Sequence, residues 1–372
     1  MNIVIVIDLI DTLTNGAVMT ARRFADGLKS RGHSVKIVAV GADGKEDCPV
    51  AEQRRPILSR VSAKSQVKFA RFEREKIKCA FEGAEVIHFI FPFRFEKKCK
   101  ALADKMGIPT TAAFHVQPEN ISYNAHLGKS RLFCKLVYGY LRRFYNSFDR
   151  IHCPSNFIAG KLKENGYAGK LYVISNGYDK EFKPSKERAE NDKFEIVMVG
   201  RLAPEKNQKV LISAVAKSRH RDKIHLTLCG NGVCRKRLQR QAQRSAVNLK
   251  IDFLPKNKLI EKLQNSDLYV HTSSVEIEAI ACIEAIACGL VPVIANSPLS
   301  ATKQFALDDR SLFADNDATS LANKIDYWIE NRAERIKMGK VYAEYAERFR
   351  LEKSLEQAEE MFADEIQSRT TN

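Results

Sequence analysis

Short apolar runs rich in Val and Ile alternate along the first half of the chain with longer stretches whose apolar residues recur every three or four positions. Ile3–Ile7 is followed by Val18–Ser30, then Val35–Val40. Glu85–Phe91 precedes Phe95–Met106, and Thr110–His115, Arg150–Cys153, Phe157–Glu164 and Leu171–Ser175 complete the series. Runs of the first kind read as buried strands and those of the second kind as amphipathic helices. A polar segment, Asp179–Lys193, crowded with Lys, Arg and Glu and containing Pro184, interrupts the rhythm. It restarts with Glu195–Val199, Gln208–Ala216, Ile224–Cys229, Arg235–Ala246, Lys250–Leu254, Asp267–His271, Ile280–Cys288 and Val291–Ala295, and from Asp317 onward only helical spacing is left. Alternation of this kind predicts parallel sheets with helices on both faces. The expected architecture is therefore α/β, with two doubly wound Rossmann-like domains over 1–178 and 194–345, a linker over 179–193, and a C-terminal helix over 346–372 that returns to the first domain. Two such domains in one chain are expected to face each other across a cleft, with ligands at the carboxyl ends of the strands.

Length and composition agree with this picture. The chain has 372 residues, enough for two cores. No stretch approaches the roughly 18 uninterrupted apolar residues of a membrane-spanning helix. Ile3–Ile7 is closed by Asp8 and Asp11, too early for a signal peptide, so the start reads as the first strand of a cytosolic protein. The nine cysteines include no C-x-x-C pair and no zinc-ligand spacing with His; they read as reduced, mostly buried thiols, and no metal site is expected. Charge changes the picture more. Of the net +16, residues 1–180 carry 30 Lys and Arg against 17 Asp and Glu, and the remainder 31 against 28. The excess belongs to the first half, and it implies an anionic partner: a membrane surface, a nucleic acid or a phosphorylated substrate.

Three segments could carry chemistry. The turn after the first strand, Asp8 to Ala17, holds one glycine, Gly16, where a dinucleotide site would need G-x-G-x-x-G; this argues against an NAD enzyme or a sugar-nucleotide epimerase. Asn15-Gly16 still opens a helix whose N–H groups suit an anion, with a plain tight turn as the equal alternative. In the second half, Gly200-Arg201-Leu202-Ala203-Pro204-Glu205-Lys206-Asn207 follows a buried-type strand and precedes a helix. Arg201 and Lys206 there could neutralise a diphosphate, one as a planar fork and the other as a point charge. The third segment, Ser273 to Gly289, sets Glu276, Glu278 and Glu284 among apolar residues, where an unpaired carboxylate is costly unless it binds something. Glu276 and Glu284 are eight residues apart, about 12 Å along a continuous helix, which suits two parts of an elongated ligand.

Taken together, Gly-Arg-Leu-x-Pro-Glu-Lys-Asn, the E-x7-E of Glu276 and Glu284 ending in Glu-Ala-Ile-Ala-Cys-Gly, and the connector Ile174-Ser-Asn-Gly-Tyr-Asp179 make the chain resemble glycosyltransferase family 4 over essentially its whole length. These are retaining nucleotide-sugar transferases of the two-Rossmann-domain B architecture. The resemblance implies that Arg201 and Lys206, beside Gly200, hold the donor diphosphate, Glu284 the ribose and Glu276 hydroxyls of the donor sugar. It implies further that the backbone of Ala279, Ile280, Ala281, Cys282 and Ile283 lies along sugar and phosphate, that His115 faces the sugar from the first domain, and that Gly16 faces phosphate. His115, Glu276, Arg201 and Lys206 are then the catalytic set. Asn15-Gly16 stands where the family often has Gly-Gly. The transfer needs neither metal nor cofactor, and no protein nucleophile is assigned, with Glu278 as the fallback carboxylate for a covalent route.

Where most members have Gly-Phe after the first Glu, this chain has Ile277-Glu278. That departure, with Phe114-His115-Val116-Gln117-Pro118-Glu119-Asn120-Ile121, resembles the branch that glycosylates diacylglycerol at the membrane surface. Two basic stretches could make a peripheral contact with the inner face of an anionic membrane: Arg54–Lys78, and Lys129–Tyr145 with Leu132, Leu136 and Tyr140 among its apolar residues. Each stripe could equally pack on the sheet. A lipid-carrier-linked glycan of capsule or exopolysaccharide synthesis is the alternative acceptor. A nucleic-acid partner, suggested by charge alone, is not expected, because no aromatic-basic sheet motif or zinc spacing accompanies it.

Overall fold

The computed structural model describes residues 1–10, 16–45, 47–53, 69–124, 130–185 and 193–370. Asn15, residues 54–68 of the first basic stretch and residues 186–192 of the expected linker lie outside them. The chain forms two compact units, one of Met1–Pro118, Arg131–Asn176 and Leu351–Asn372, the other of Glu119–Ser130 and Gly177–Arg350.

The first unit is built on a seven-stranded sheet: β1 (Asn2–Leu9), β2 (Ser34–Val40), β3 (Cys48–Pro49), β4 (Val86–Phe89), β5 (Thr110–Ala113), β6 (Arg150–Cys153) and β7 (Lys170–Val173), in the order β3-β2-β1-β4-β5-β6-β7. Every pairing is parallel. Ile3, Ile5 and Ile7 are as buried as Val4 and Val6, the mark of a central strand covered on both faces. The C-terminal helix Leu351–Thr370 belongs to this unit. Phe362 packs edge-on to His88 at 5.4 Å, the fully buried Glu365 pairs with Arg150, and Glu359 takes a bidentate pair from Arg31 at 2.7 and 2.8 Å.

The second unit repeats the plan with β8 (Phe194–Val199), β9 (Ile224–Cys229), β10 (Leu249–Asp252), β11 (Leu268–His271), β12 (Pro292–Asn296) and β13 (Leu312–Ala314), ordered β10-β9-β8-β11-β12-β13 and again wholly parallel. In both sheets the chain order reverses beside the first strand, between β1 and β4 and between β8 and β11. Crevices form at such switch points, outside the carboxyl ends of the strands. The loops that follow β8 and β11 carry the Gly200–Lys206 and Ser273–Gly289 segments, so the topology brings two segments some 70 residues apart in sequence side by side. Two strands are absent from the hydrophobic pattern, β3 and β13. With two and three residues they are too short for any periodicity to register.

Candidate functional site

In the second unit the chain leaves β8 through Gly200, whose φ of +148° favours glycine. The next turn is held from below by the loop after β9. Leu202 N–H donates to Asn231 O at 2.9 Å and Cys234 N–H donates to Leu202 O at 3.0 Å. A Cβ on Gly230 would lie 1.9 Å from Gly200 O, and one on Gly232 would lie 2.4 Å from Leu202 O. Both contacts are with backbone, so any side chain at either position would push the 200–202 turn away. The expected site did not include Gly230 and Gly232; a G-x-G directly after a strand was the signal for them.

The two cations of this loop end up with different partners. Arg201, half exposed, donates from Nη2 to the buried Glu205 at 2.6 Å. Lys206 forms an ion pair with Oε1 of Glu276 from the loop after β11. The Lys206 carbonyl accepts Thr272 Oγ1 at 2.9 Å, which fixes the backbone that aims the ammonium. Behind Glu276 runs a buried relay that the sequence reading missed. His271 Nε2 lies 3.0 Å from Glu276 Oε1, and Tyr269 Oη lies 2.9 Å from His271 Nδ1. All three groups are satisfied when the phenol donates to Nδ1 and Nε2–H donates to the carboxylate. Burial of Glu276 by itself would raise its pKa, but the Lys206 charge and the His271 hydrogen bond outweigh it and hold the carboxyl well below the usual range. Ala301 N–H to Glu276 O at 2.9 Å, Ser297 Oγ to Ser274 O at 2.6 Å and Ser274 Oγ to Asp315 at 2.8 Å pin the main chain of this loop.

Glu276 and Glu284 do not share one helix. The helix begins at Ile280, and Ala279 before it is left-handed, φ +81° and ψ +68°, a conformation rare for a residue with a Cβ. A loop and a sharp turn thus separate Glu276 from Glu284, which lies in the helix Ile280–Ala287, one residue shorter than the expected stretch Ile280–Cys288. The reversal at Ala279 starts the helix with the N–H groups of Ile280 and Ala281 in its first turn, where an anion is favoured. Cys282, Ile283 and Glu284 are buried, and Glu278 is buried as well.

In the first unit, Gly16 opens the helix Gly16–Ser30, and a Cβ there would meet no atom of the described residues within 4 Å, so packing among them does not demand glycine. His115 follows β5 and is buried edge-on to His152 at 5.5 Å. Neither of its ring nitrogens has a hydrogen-bond partner among the described residues. Burial, then the neighbouring His152, lowers its pKa to about 3, so it is a neutral imidazole at physiological pH. The helix Arg131–Tyr145 has two apolar faces. Cys134, Tyr138, Leu141, Phe144 and Tyr145 are buried, while Leu132, Leu136 and Tyr140, at i, i+4 and i+8, are 71, 66 and 60 % exposed beside exposed Arg131, Lys135 and Arg143. Lys97 caps this outer face, with its ammonium 4.2 Å from the centre of the Tyr140 ring. Among the described residues no helix is long and apolar enough to cross a membrane, and no three His, Cys, Asp or Glu side chains cluster as metal ligands.

Comparison with known proteins agrees with this layout. Residues 14–182 match the model of Glycosyltransferase Family 4, and residues 179–349 match that of Glycosyl transferases group 1. The alpha-monoglucosyldiacylglycerol synthase of Streptococcus pneumoniae is 24 % identical over 214 residues, 52 % of this chain and 48 % of that protein, so the chain spans about half the length of this curated relative. The catalytic domain of the cholesterol-alpha-glucosyltransferase of Helicobacter pylori is 52 % identical over 42 % of this chain and 98 % of that one, with a TM-score of 0.41. Anabaena Alr3699/HepE, crystallised with UDP-glucose, is 18 % identical with a TM-score of 0.74, over 98 % of this chain and all of its own, and has the same fold.

Proposed function

Because the chain belongs to the two-domain glycosyltransferases of family 4 and group 1, we propose that it moves a hexose from a nucleotide-sugar, a UDP-hexose, to a membrane lipid, diacylglycerol or a glycolipid, with retention of configuration. The observation that carries the reading is the Lys206–Glu276 pair at the switch point of the second sheet, beside the first turn of the helix Ile280–Ala287. An ammonium has three N–H donors and a carboxylate four acceptor positions, so a paired Lys206 and Glu276 keep capacity for a phosphate oxygen and for sugar hydroxyls. Cation and anion side by side match a ligand that turns from a charged diphosphate to a neutral polyol within a few ångströms. Arg201 supplies the second cation, the N–H groups of Ile280 and Ala281 lie along the phosphate, and Glu284 takes the ribose.

Catalysis in this reading is positioning plus electrostatics. As the bond from the sugar to the diphosphate breaks, negative charge grows on the leaving oxygen. Arg201 and Lys206, already oriented by Glu205 and Glu276, offset it without reorganisation. His115 offers one N–H and one acceptor to a sugar hydroxyl as a neutral imidazole. No metal and no cofactor besides the donor enters the scheme. The lipid acceptor is supported by the name of the pneumococcal relative, by the excess positive charge of residues 1–180 and by the exposed Leu132-Leu136-Tyr140 face with its basic flank. Apolar side chains flanked by Arg131, Lys135 and Arg143 suit the interface of an anionic leaflet, and this supports a peripheral position on the inner face of the membrane. A panel of UDP- and GDP-hexoses, with and without lipid vesicles and EDTA, tests the reading through nucleotide release. A UDP-hexose should be used, faster with vesicles and unaffected by chelation. Turnover only with a lipid-carrier-linked glycan would favour capsule or exopolysaccharide synthesis.

A further inference from the structure

The helix Arg235–Arg244 carries Arg235, Lys236, Arg237, Arg240 and Arg244 among its ten residues and no acid. Arg237, Arg240 and Arg244, at i, i+3 and i+7, share one face of it. With Lys209 from the adjacent helix Gln208–Lys217 they line a groove of about 620 Å³. Gln241 fixes the two helices at its base, donating to Lys209 O at 2.8 Å and Ser213 Oγ at 3.0 Å. Several other cations of the same unit are matched: Lys262 meets Glu195 at 2.6 Å, Lys256 meets Asp179 at 2.8 Å, and Arg310 meets both Asp308 and Glu334. None of the four groove cations has an acidic partner among the described residues. Like charges three and four apart on a helix destabilise it, so the arrangement has a cost that no acid among the described residues offsets. Charge elsewhere in this half is nearly balanced, which makes the concentration local.

We propose that this groove is a second anion site, for a soluble ligand bearing two or more phosphoryl groups and distinct from Arg201 and Lys206. Three guanidinium forks and one ammonium converging on a concavity match multiply charged phosphate oxygens. The volume falls in the range of small-molecule sites, roughly 300–1,000 Å³. Asn316 also lines the groove, and its side-chain oxygen accepts Asn207 Nδ2 at 2.6 Å. Asn207 directly follows Lys206 and is itself left-handed. An occupant therefore sits one hydrogen bond from the loop that holds Lys206. The proposal rests on no assignment of donor or acceptor.

Calorimetric titration of the full chain with tripolyphosphate at low salt tests it, using wild type, R237Q/R240Q/R244Q, K209Q and R201Q/K206Q. Wild type and R201Q/K206Q should both bind, the triple variant should bind at least 10-fold more weakly, and K209Q should shift in the same direction. Without ligand, the triple variant should melt no lower than wild type, since a repulsion has been removed, and tripolyphosphate should raise its melting temperature less than that of wild type. Unchanged affinity and stoichiometry in the triple variant, or loss of all binding in R201Q/K206Q, would overturn the site. Sedimentation with phosphatidylglycerol vesicles separates the lipid source of the same chemistry: the triple variant should sediment like wild type. Loss of vesicle binding in the triple variant would make the groove a lipid-headgroup contact and overturn the soluble ligand.

Discussion

Lys206 reaches across from the loop after β8 to pair with Glu276 in the loop after β11, and the Glu276 oxygen that receives it also receives His271 Nε2 at 3.0 Å. A cation held in this way is already oriented when charge develops on a diphosphate. A charge-assisted hydrogen bond contributes about 1.5–3 kcal/mol, so Lys206→Ala and Arg201→Ala should each lower kcat/KM by roughly 10- to 100-fold. Steady-state assays of the two variants check this, and near-wild-type turnover in both would remove the clamp.

The two carboxylates should separate cleanly. Glu284→Gln should weaken binding of the free nucleoside diphosphate, because it alters the ribose contact. Glu276→Gln should leave that affinity within about threefold and depress sugar transfer instead. Titration calorimetry with UDP beside transfer assays distinguishes the two roles, and equal losses of UDP affinity would show that they are one.

Ala279 holds a left-handed turn that costs a non-glycine residue about 1–3 kcal/mol. Ala279→Gly relieves that cost but gives up one buried methyl and some chain entropy, so it should leave the protein as stable or up to about 1 kcal/mol more stable. Ala279→Val, with a β-branched side chain at positive φ, should lose about 2 kcal/mol or more. Denaturant unfolding of both variants gives the comparison, and a destabilised glycine variant would contradict the assigned backbone strain.

The outer face of the helix Arg131–Tyr145 predicts a specific membrane defect. Replacing Leu132, Leu136 and Tyr140 with Ser should weaken sedimentation with anionic vesicles by at least 10-fold while leaving the thermal transition within a few degrees, because these side chains are largely exposed. Wild-type binding should fall as salt shortens the Debye length. Unaltered vesicle binding in the triple variant would move the membrane contact elsewhere.

Much of this was legible in the sequence for a physical reason. Parallel strands buried on both faces leave continuous Val and Ile runs, so the longer strands of both sheets show in the pattern, while β3 and β13 are too short to do so. Arg201 and Lys206 stand out because a strand, a glycine and a helix flank them locally. The His271 relay does not, since it forms only when the loop after β11 folds Glu276 back onto the end of its own strand, a turn that no residue pattern announces. Nor does Ala279, a residue type with no preference for the left-handed turn. The stripe of the helix Arg131–Tyr145 left open whether it met the sheet or a partner; the structure resolves this into two apolar faces, one buried and one exposed.

Lipid as acceptor is decided by incubating the enzyme with UDP-[14C]hexose and vesicles containing phosphatidylglycerol and diacylglycerol, then counting label in the organic extract. An α-linked glycolipid should form, in the presence of EDTA, and should fall at least 10-fold with Lys206→Ala. Label that stays in the aqueous phase, or a β-linked product, would contradict it.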